Sequence, residues 1–506
     1  MKLPRRSQRP LSRRSRLLIA LAAFVVLGWI TLVLQMMPLF GYFPESGSQR
    51  DVGNVLRVQT FEEAKVSRKE VLEADRLHLS LLHENCVQDP SASLPWTFGS
   101  PGYQLPNATA SNPEVLMHQD DPDILAKLRQ CPDVDIFLPV GIHGNGYCED
   151  AVAYVKYLKS RLLLQWTLEV KLFDPDLGRE VDYFDLCPKT PVIFFNHYWD
   201  GVPSMPRWPK DKPIYVMPNI EMFEMTANDY WKVTAVLCKT EVCYDRVTRW
   251  YEQEGNPLDT RVFYTKHTSS DQADFARKRL GEEAIAPKDF STIKFIHTAG
   301  TSNLKGTRQL VECWVSEPDL PPLDVYIDTG AFNATINDGL RKSMQHSRSP
   351  LNVNVGMIER SAFTKLTAEA AFFMCPSVSE GYGHYINQAR AAGAVVITTD
   401  LPPMNELIVS SRTGFLIPVE RREESRQIMG GAYKEAHGLK SVDGLVGSFG
   451  GPEVCKAVQE MVKSTTAEQR AAIGANARRA YNADTFFFAS AMEEVLEFAR
   501  RGMDVN

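Results

Sequence analysis

Short apolar runs alternate with helical patterns from Val134 to Thr398, and this alternation most narrows the folds open to the chain. Val134–Val140 (VDIFLPV) is followed by Gly141-Ile-His-Gly144-Asn145-Gly146 and a helical pattern from Glu149 to about Leu164. Trp166–Leu172, Val192–Asn196, Ile214–Met217 and Thr234–Cys238 read as further buried strands, and Glu241–Glu252 as a helix. Strands that are apolar on both faces and alternate with helices imply a parallel sheet covered on both sides. The pattern breaks between Glu282 and Phe290, at Pro287-Lys-Asp, and then restarts. Lys294–His297, Asp324–Ile327, Val353–Val355, Phe372–Cys375 and Val395–Thr398 read as strands. Helices are expected from Thr307, over Ser361–Ala371, over Tyr385–Ala392 and along the tail Ala467–Arg501. The expectation is two Rossmann-like α/β domains, 126–286 and 287–506. Their strand carboxyl ends, where open α/β sheets bind ligands, would face a common cleft.

The amino terminus has a different character. Residues 1–16 carry seven basic side chains and no acid, and Leu17–Leu34 is 18 residues without a charge. An apolar stretch of that length can span a bilayer at a tilt. The basic cluster before it puts the amino terminus in the cytosol and the body across the membrane. A cleaved signal peptide is the competing reading, but Met36-Met37-Pro38-Leu39 is no small-residue cleavage site. The expected order is a cytosolic tail (1–16), an anchor (17–37) and a loose stem (38–125) with a charged helical stretch, Phe61–His83. A multi-span transporter is excluded, since mean hydropathy is −0.23 and only one stretch is long and apolar. Without its basic tail the chain moves from a formal charge of −6 to −13, so no nucleic-acid partner is expected.

All nine cysteines follow the apolar segment, and two sequons, at Asn107 and Asn333, fit a lumenal body. No CxxC is present, and no zinc or other metal site is expected. Asp121-Pro-Asp123, Asp133-Val-Asp135 and Asp174-Pro-Asp176 each satisfy Asp-x-Asp, the pattern of metal-dependent sugar transfer. None joins a ligand cluster in the sequence.

The sharpest chemical segment is Pro376-Ser-Val-Ser-Glu380-Gly381-Tyr-Gly383-His384-Tyr-Ile-Asn-Gln388. A buried strand ends at Pro376, and a Glu between glycines opens a helix. Glycines admit close backbone approach, and a helix N-terminus favours an anion. The segment resembles the donor motif of retaining nucleotide-sugar glycosyltransferases of the GT-B fold, family 4 and its relatives, written P-S-x-x-E-G-F/Y-G with a second Glu eight residues on. The resemblance gives Glu380 the donor sugar's hydroxyls, and gives Gly381, Gly383 and His384 the donor loop. Gln388 stands where the family places the Glu that holds the ribose. On that reading Gln388→Glu would tighten nucleotide binding.

Phe295-Ile-His-Thr-Ala-Gly300-Thr-Ser302-Asn-Leu-Lys305-Gly306 is similar to the first strand and turn of the family's C-terminal domain. The resemblance places Gly300, Ser302 and Lys305 at the donor diphosphate, although no residue matches the family's Arg. Met357 and Ile358 fall where the base-binding loop lies. In the N-terminal half, Gly144, Asn145 and Gly146 resemble the glycine-rich loop at the cleft. His197 stands near a cleft His, and Asn219 and Glu221 would line the acceptor side. Glu380, Lys305 and His197 would carry catalysis. The resemblance implies a glycosyltransferase, and with the amino-terminal anchor the expectation is a type II protein of the Golgi or endoplasmic reticulum. It would use a nucleotide sugar as donor substrate, with no separate cofactor, and a glycan, glycoprotein or lipid as acceptor. The alternative is a weak or inactive glycan-binding scaffold on the same fold.

Overall fold

A computed structural model describes residues 65–100 and 116–504. The expected anchor, the basic tail and the Asn107 sequon lie outside the described residues. Among the described residues no helix is long and apolar enough to cross a membrane. Glu70–Asn506 is one compact unit.

The first sheet contains β1 (Leu94–Pro95), β2 (Asp135–Phe137), β3 (Arg161–Leu163), β4 (Val192–Phe195), β5 (Ile214–Met217), β6 (Ala235–Cys238) and β7 (Arg261–Tyr264). Its order is β1-β3-β2-β4-β5-β6-β7, parallel except for the β1 edge. The second sheet contains β8 (Phe295–Gly300), β9 (Leu323–Ile327), β10 (Leu351–Val355), β11 (Phe372–Cys375), β12 (Val395–Thr399) and β13 (Gly414–Ile417). It is wholly parallel, in the order β10-β9-β8-β11-β12-β13. That is the doubly wound dinucleotide-domain order, with its switch point between β8 and β11. The first sheet reverses between β2 and β4.

Most strands lie where the apolar runs put them. The stretch 147–172 does not. The helix α2 is Tyr147–Tyr157, Lys159 adopts a positive φ of 49°, and Arg161–Leu163 is a strand. Gln165–Glu169, overlapping the expected strand Trp166–Leu172, is a short helix. Arg161 hides the strand in the sequence: it is buried in the sheet because its guanidinium pairs with Asp135 at 2.9 Å.

The expected stem also differs. Helix α1 (Lys65–Gln88) buries Leu79 and Leu82 and is tied to α2 by the Cys86–Cys148 disulfide. Leu94 then pairs with Leu162. This part of the stem is therefore core of the N-terminal domain. Three further disulfides join Cys131–Cys187, Cys238–Cys243 and Cys313–Cys455, leaving Cys375 buried and free.

The chain crosses between domains more often than one linker requires. Helix α3 (Glu241–Glu254) belongs to the first domain, but α4 (Gln272–Leu280), before the expected break at Pro287, packs Ala273 and Ala276 against Ala368 of α6 (Arg360–Glu369). The remaining helices that matter are α5 (Thr307–Ser316), α7 (His384–Ala391), α8 (Gly451–Ser464) and α9 (Ala467–Asp504). Helix α9 contributes Ile473 to the second domain and Phe488, Met492, Val495 and Leu496 to one face of the first sheet. An arm between Arg422 and Val446 sends Ile428, Met429, Leu439 and Leu445 into the core on the other face of that sheet. Arg246 of α3 donates to Met429 O at 2.5 Å, and Trp250 to His437 O at 2.7 Å.

Candidate functional site

Both switch points open on the junction of the two domains. In the second domain β8 ends at Gly300, and the chain turns through Ser302 and Lys305 to Gly306, the N-cap of α5. A Cβ on Gly306 would collide with Pro376 O, so glycine is required where this turn passes the end of β11. Buried His297 fixes the turn, bonding Met374 O and Thr307 Oγ1 at 2.8 Å each. Burial pushes its pKa down to about 4, so the ring is a neutral strut.

Lys305 reaches the other side of the switch point and pairs with Glu380. Ser377 Oγ donates to the same carboxylate at 2.5 Å and bonds Tyr385 OH at 2.5 Å, and the Lys305 ammonium lies 4.1 Å from the Tyr385 ring centroid. The structure therefore brings Lys305 and Glu380 together, 75 residues apart in sequence. Ser377 and Tyr385 complete the cluster and were not singled out from sequence; both stood in the quoted segment, Ser377 as a motif position and Tyr385 outside the motif. Gly383, with φ of 100°, caps α7, which begins directly after the loop that carries Glu380. Met357 follows β10 at the same sheet edge and is 76% exposed, with Ile358 half-buried beside it in sequence.

In the first domain, Val140–Asn145 forms a 3-10 turn, and Gly146, φ 88°, starts α2. Gly144 is exposed. His143 anchors the turn through Cys86 O at 2.9 Å. Asn196 after β4 accepts from the Asn219 N–H, and Asn219 Nδ2 donates to Tyr147 OH at 3.1 Å. His197 bonds Asn196 and faces Glu224 at 3.8 Å, and among the described residues its polar partners do not include Lys305 or Glu380. Asn219 and Glu221 do meet the donor loop: a Cβ on Gly381 would lie 2.5 Å from Asn219 Oδ1 and 2.8 Å from Glu221 Oε1. Burial, reinforced by Glu380 and Asp150, pushes the Glu221 carboxyl up to about 7 against the pull of a backbone hydrogen bond and Lys239.

Two acids of α2 hold the domains together. Asp150 bonds His384 Nε2 at 3.1 Å and Lys239 at 2.9 Å, and lies 3.0 Å from His267 Nε2. Burial opposes its ionisation, but Lys239 and His384 outweigh burial and hold Asp150 well below the usual carboxylate range. Glu149 accepts from Ser270 N and from Gln388 Nε2, the latter at 2.6 Å. Gln388, expected at the ribose, is thus engaged across the domain boundary. Burial would raise Glu149 as well, yet His83 and His384 lower it.

Asp150, His267 and His384 offer donor atoms within 4.8 Å of one another. A cation there would have to displace Lys239 from both Asp150 oxygens, at 2.9 and 3.0 Å. The three Asp-x-Asp patterns are held by basic side chains: Asp121 and Asp123 by Lys127, Asp135 by Arg161, Asp133 by Arg500, and Asp174 and Asp176 by Arg129.

Residues 338–430 match a model of glycosyl transferases, group 1. The matched segment contains Glu380, the donor loop and Gln388, so this part of the second domain is similar to group 1 glycosyl transferases. No curated protein matches the chain. Among solved structures the chain is similar to the GtfA/B complex, at 15% identity over 62% of this chain and 57% of that one, with a TM-score of 0.42. It is also similar to sucrose-phosphate synthase from Thermosynechococcus elongatus, at 12% identity over 69% and 84%, TM-score 0.44. A glycosyltransferase from Rickettsia africae gives 12% identity over 74% and 99%, TM-score 0.45. The chain spans little more than half the length of the first of these.

Proposed function

We propose that the chain is a GT-B glycosyltransferase that moves a sugar from a nucleotide-sugar donor to a glycan, glycoprotein or lipid acceptor, with retention of configuration. The observation that carries this reading is the meeting of Lys305 and Glu380 across a dinucleotide-type switch point, inside or beside the segment that matches group 1 transferases. On this reading Glu380 orients the donor sugar. Lys305 and the free N–H groups at the start of α7 take up the negative charge that grows on the departing diphosphate, the role a metal ion plays elsewhere. The acceptor hydroxyl attacks the ring carbon on the face the phosphate leaves. Its proton passes to the phosphate oxygen, and the products are the glycoside and the nucleoside diphosphate. The body is lumenal behind a type II anchor in the Golgi or endoplasmic reticulum. The four disulfides suit an oxidising compartment, and the exposed Asn333 suits glycosylation there.

The test is a screen of nucleotide-sugar hydrolysis and transfer with the purified full chain, with and without chelator. Turnover that survives chelation is expected. Loss in chelator restored by manganese would refute the metal-independent mechanism. A second reading, a scaffold with little or no turnover, is favoured by the engagement of Gln388 with Glu149. It is the result if nucleotides bind and no sugar is released.

A further inference from the structure

The contact between the segment after β5 and the donor loop has an unusual balance of polar atoms. Asn219 Oδ1 and Glu221 Oε2 are both out of solvent and without a hydrogen-bond partner. They come from the first domain and abut Gly381 of the second. Glu380, also of the second domain, is near enough to oppose ionisation of Glu221. The two lysines that could neutralise this contact are already engaged, Lys305 by Glu380 and Lys239 by Asp150. Among the described residues Glu221 has no ion pair. Its backbone is fixed from the other side, because buried Gln427 of the interdomain arm donates to Glu221 O. The main chain is thus held in place, and Glu221 Oε2 stays out of solvent.

Buried acceptors without partners call for a ligand that donates hydrogen bonds. Sugar hydroxyls and acetamido N–H groups do so; a carboxylate brings only further acceptors to Asn219 Oδ1 and Glu221 Oε2 and finds no free cation beside them, since Lys305 and Lys239 are engaged. We infer that Asn219 and Glu221 read hydroxyls of the transferred sugar opposite Glu380, and that the chain accepts an uncharged hexose or N-acetylhexosamine donor and rejects a uronic-acid or other carboxylated donor. The inference rests on the donor-site reading above and goes further by naming the sugar class and the residues that select it.

Calorimetry on the purified full chain with UDP, GDP, UDP-glucose, UDP-glucuronate, GDP-mannose and GDP-mannuronate tests it. For the base that binds, the neutral sugar should bind at least tenfold more tightly than its uronate. Glu221→Gln should narrow that ratio, and Asn219→Asp, which adds a carboxylate at the same place, should widen it. A folding defect would not move the two variants in opposite directions. Equal or tighter binding of the uronate, or a ratio that neither variant shifts, overturns the inference while leaving nucleotide binding intact. If no nucleoside diphosphate binds at all, the donor-site reading fails and the inference falls with it.

Discussion

Gln388→Glu is the most informative single change, because sequence and structure foretell opposite results. The resemblance implies tighter ribose binding. In the structure the Gln388 amide donates to Glu149 Oε1 at 2.6 Å, so the variant sets two carboxyls against each other in a buried place. Glu149 keeps its charge, since Ser270 N and Oγ donate to it and His83 lies 3.5 Å away. The new acid must then hold its proton. Keeping a carboxyl of ordinary pKa protonated at about pH 7 costs about 3.7 kcal/mol, and at about pH 5 only about 1 kcal/mol. The sign follows from linkage: the new group's folded pKa lies above its unfolded value, so the penalty is absent in acid and grows as pH rises through and beyond the unfolded pKa. Thermal or urea unfolding of the full chain at both pH values checks this, with Gln388→Ala as a variant that loses the hydrogen bond but adds no acid. The gap between parent and Gln388→Glu should widen by about 2–3 kcal/mol from the acid to the neutral condition, and the gap to Gln388→Ala should stay flat. A pH-independent gap, or tighter nucleotide binding with no loss of stability, would refute the reasoning and return Gln388 to the ribose.

Lys305→Ala should lower kcat/KM for the donor by about 3 kcal/mol, roughly a hundredfold, because it removes the cation beside the diphosphate and leaves Glu380 unpaired. Full kcat/KM in a folded variant would make Lys305 a structural partner of Glu380 only. Gly381→Ala should cost about 1–3 kcal/mol by overpacking against Asn219 and Glu221, seen as a lowered melting temperature together with reduced turnover. Replacing both Cys86 and Cys148 by Ser opens a link between residues 62 apart. It should lower stability by about 4 kcal/mol, with α1 becoming the first site of limited proteolysis.

The second domain was largely legible. Phe372–Cys375 and the start of α5 at Thr307 stand where the sequence put them, because uninterrupted apolar runs of four or five residues between glycine turns have few alternatives. The first domain was harder. Its β3 is three residues long and starts with a charged Arg, and the left-handed residue just beyond the end of α2 is Lys159, not the usual glycine. The stem was misread because what orders α1 is a disulfide and a packing surface supplied by α2, neither visible in a local pattern. The site divides the same way. Lys305 and Glu380 could be found from motif order, since each lies on a loop of its own sheet. The partnership of Glu149 with Gln388, and of Asp150 with His384, spans 239 and 234 residues and exists only once two separate sheets have docked.

Helix α9 and the Ile428–Leu445 arm grip opposite faces of the first sheet, and both are rooted in the second domain. The first sheet is therefore clamped like a plate between two jaws, and turning it about any single axis disturbs one jaw. Burying each of the arm's four apolar anchors contributes about 1.5–3 kcal/mol, so withdrawing the arm costs roughly 6–12 kcal/mol. Even at the low end an open clamp is about one molecule in twenty thousand at any moment. With the jaws shut in nearly every molecule, the exposed turns carrying Gly144, Thr301 and Met357 are left as the parts of the two domains that can rearrange without breaking the clamp.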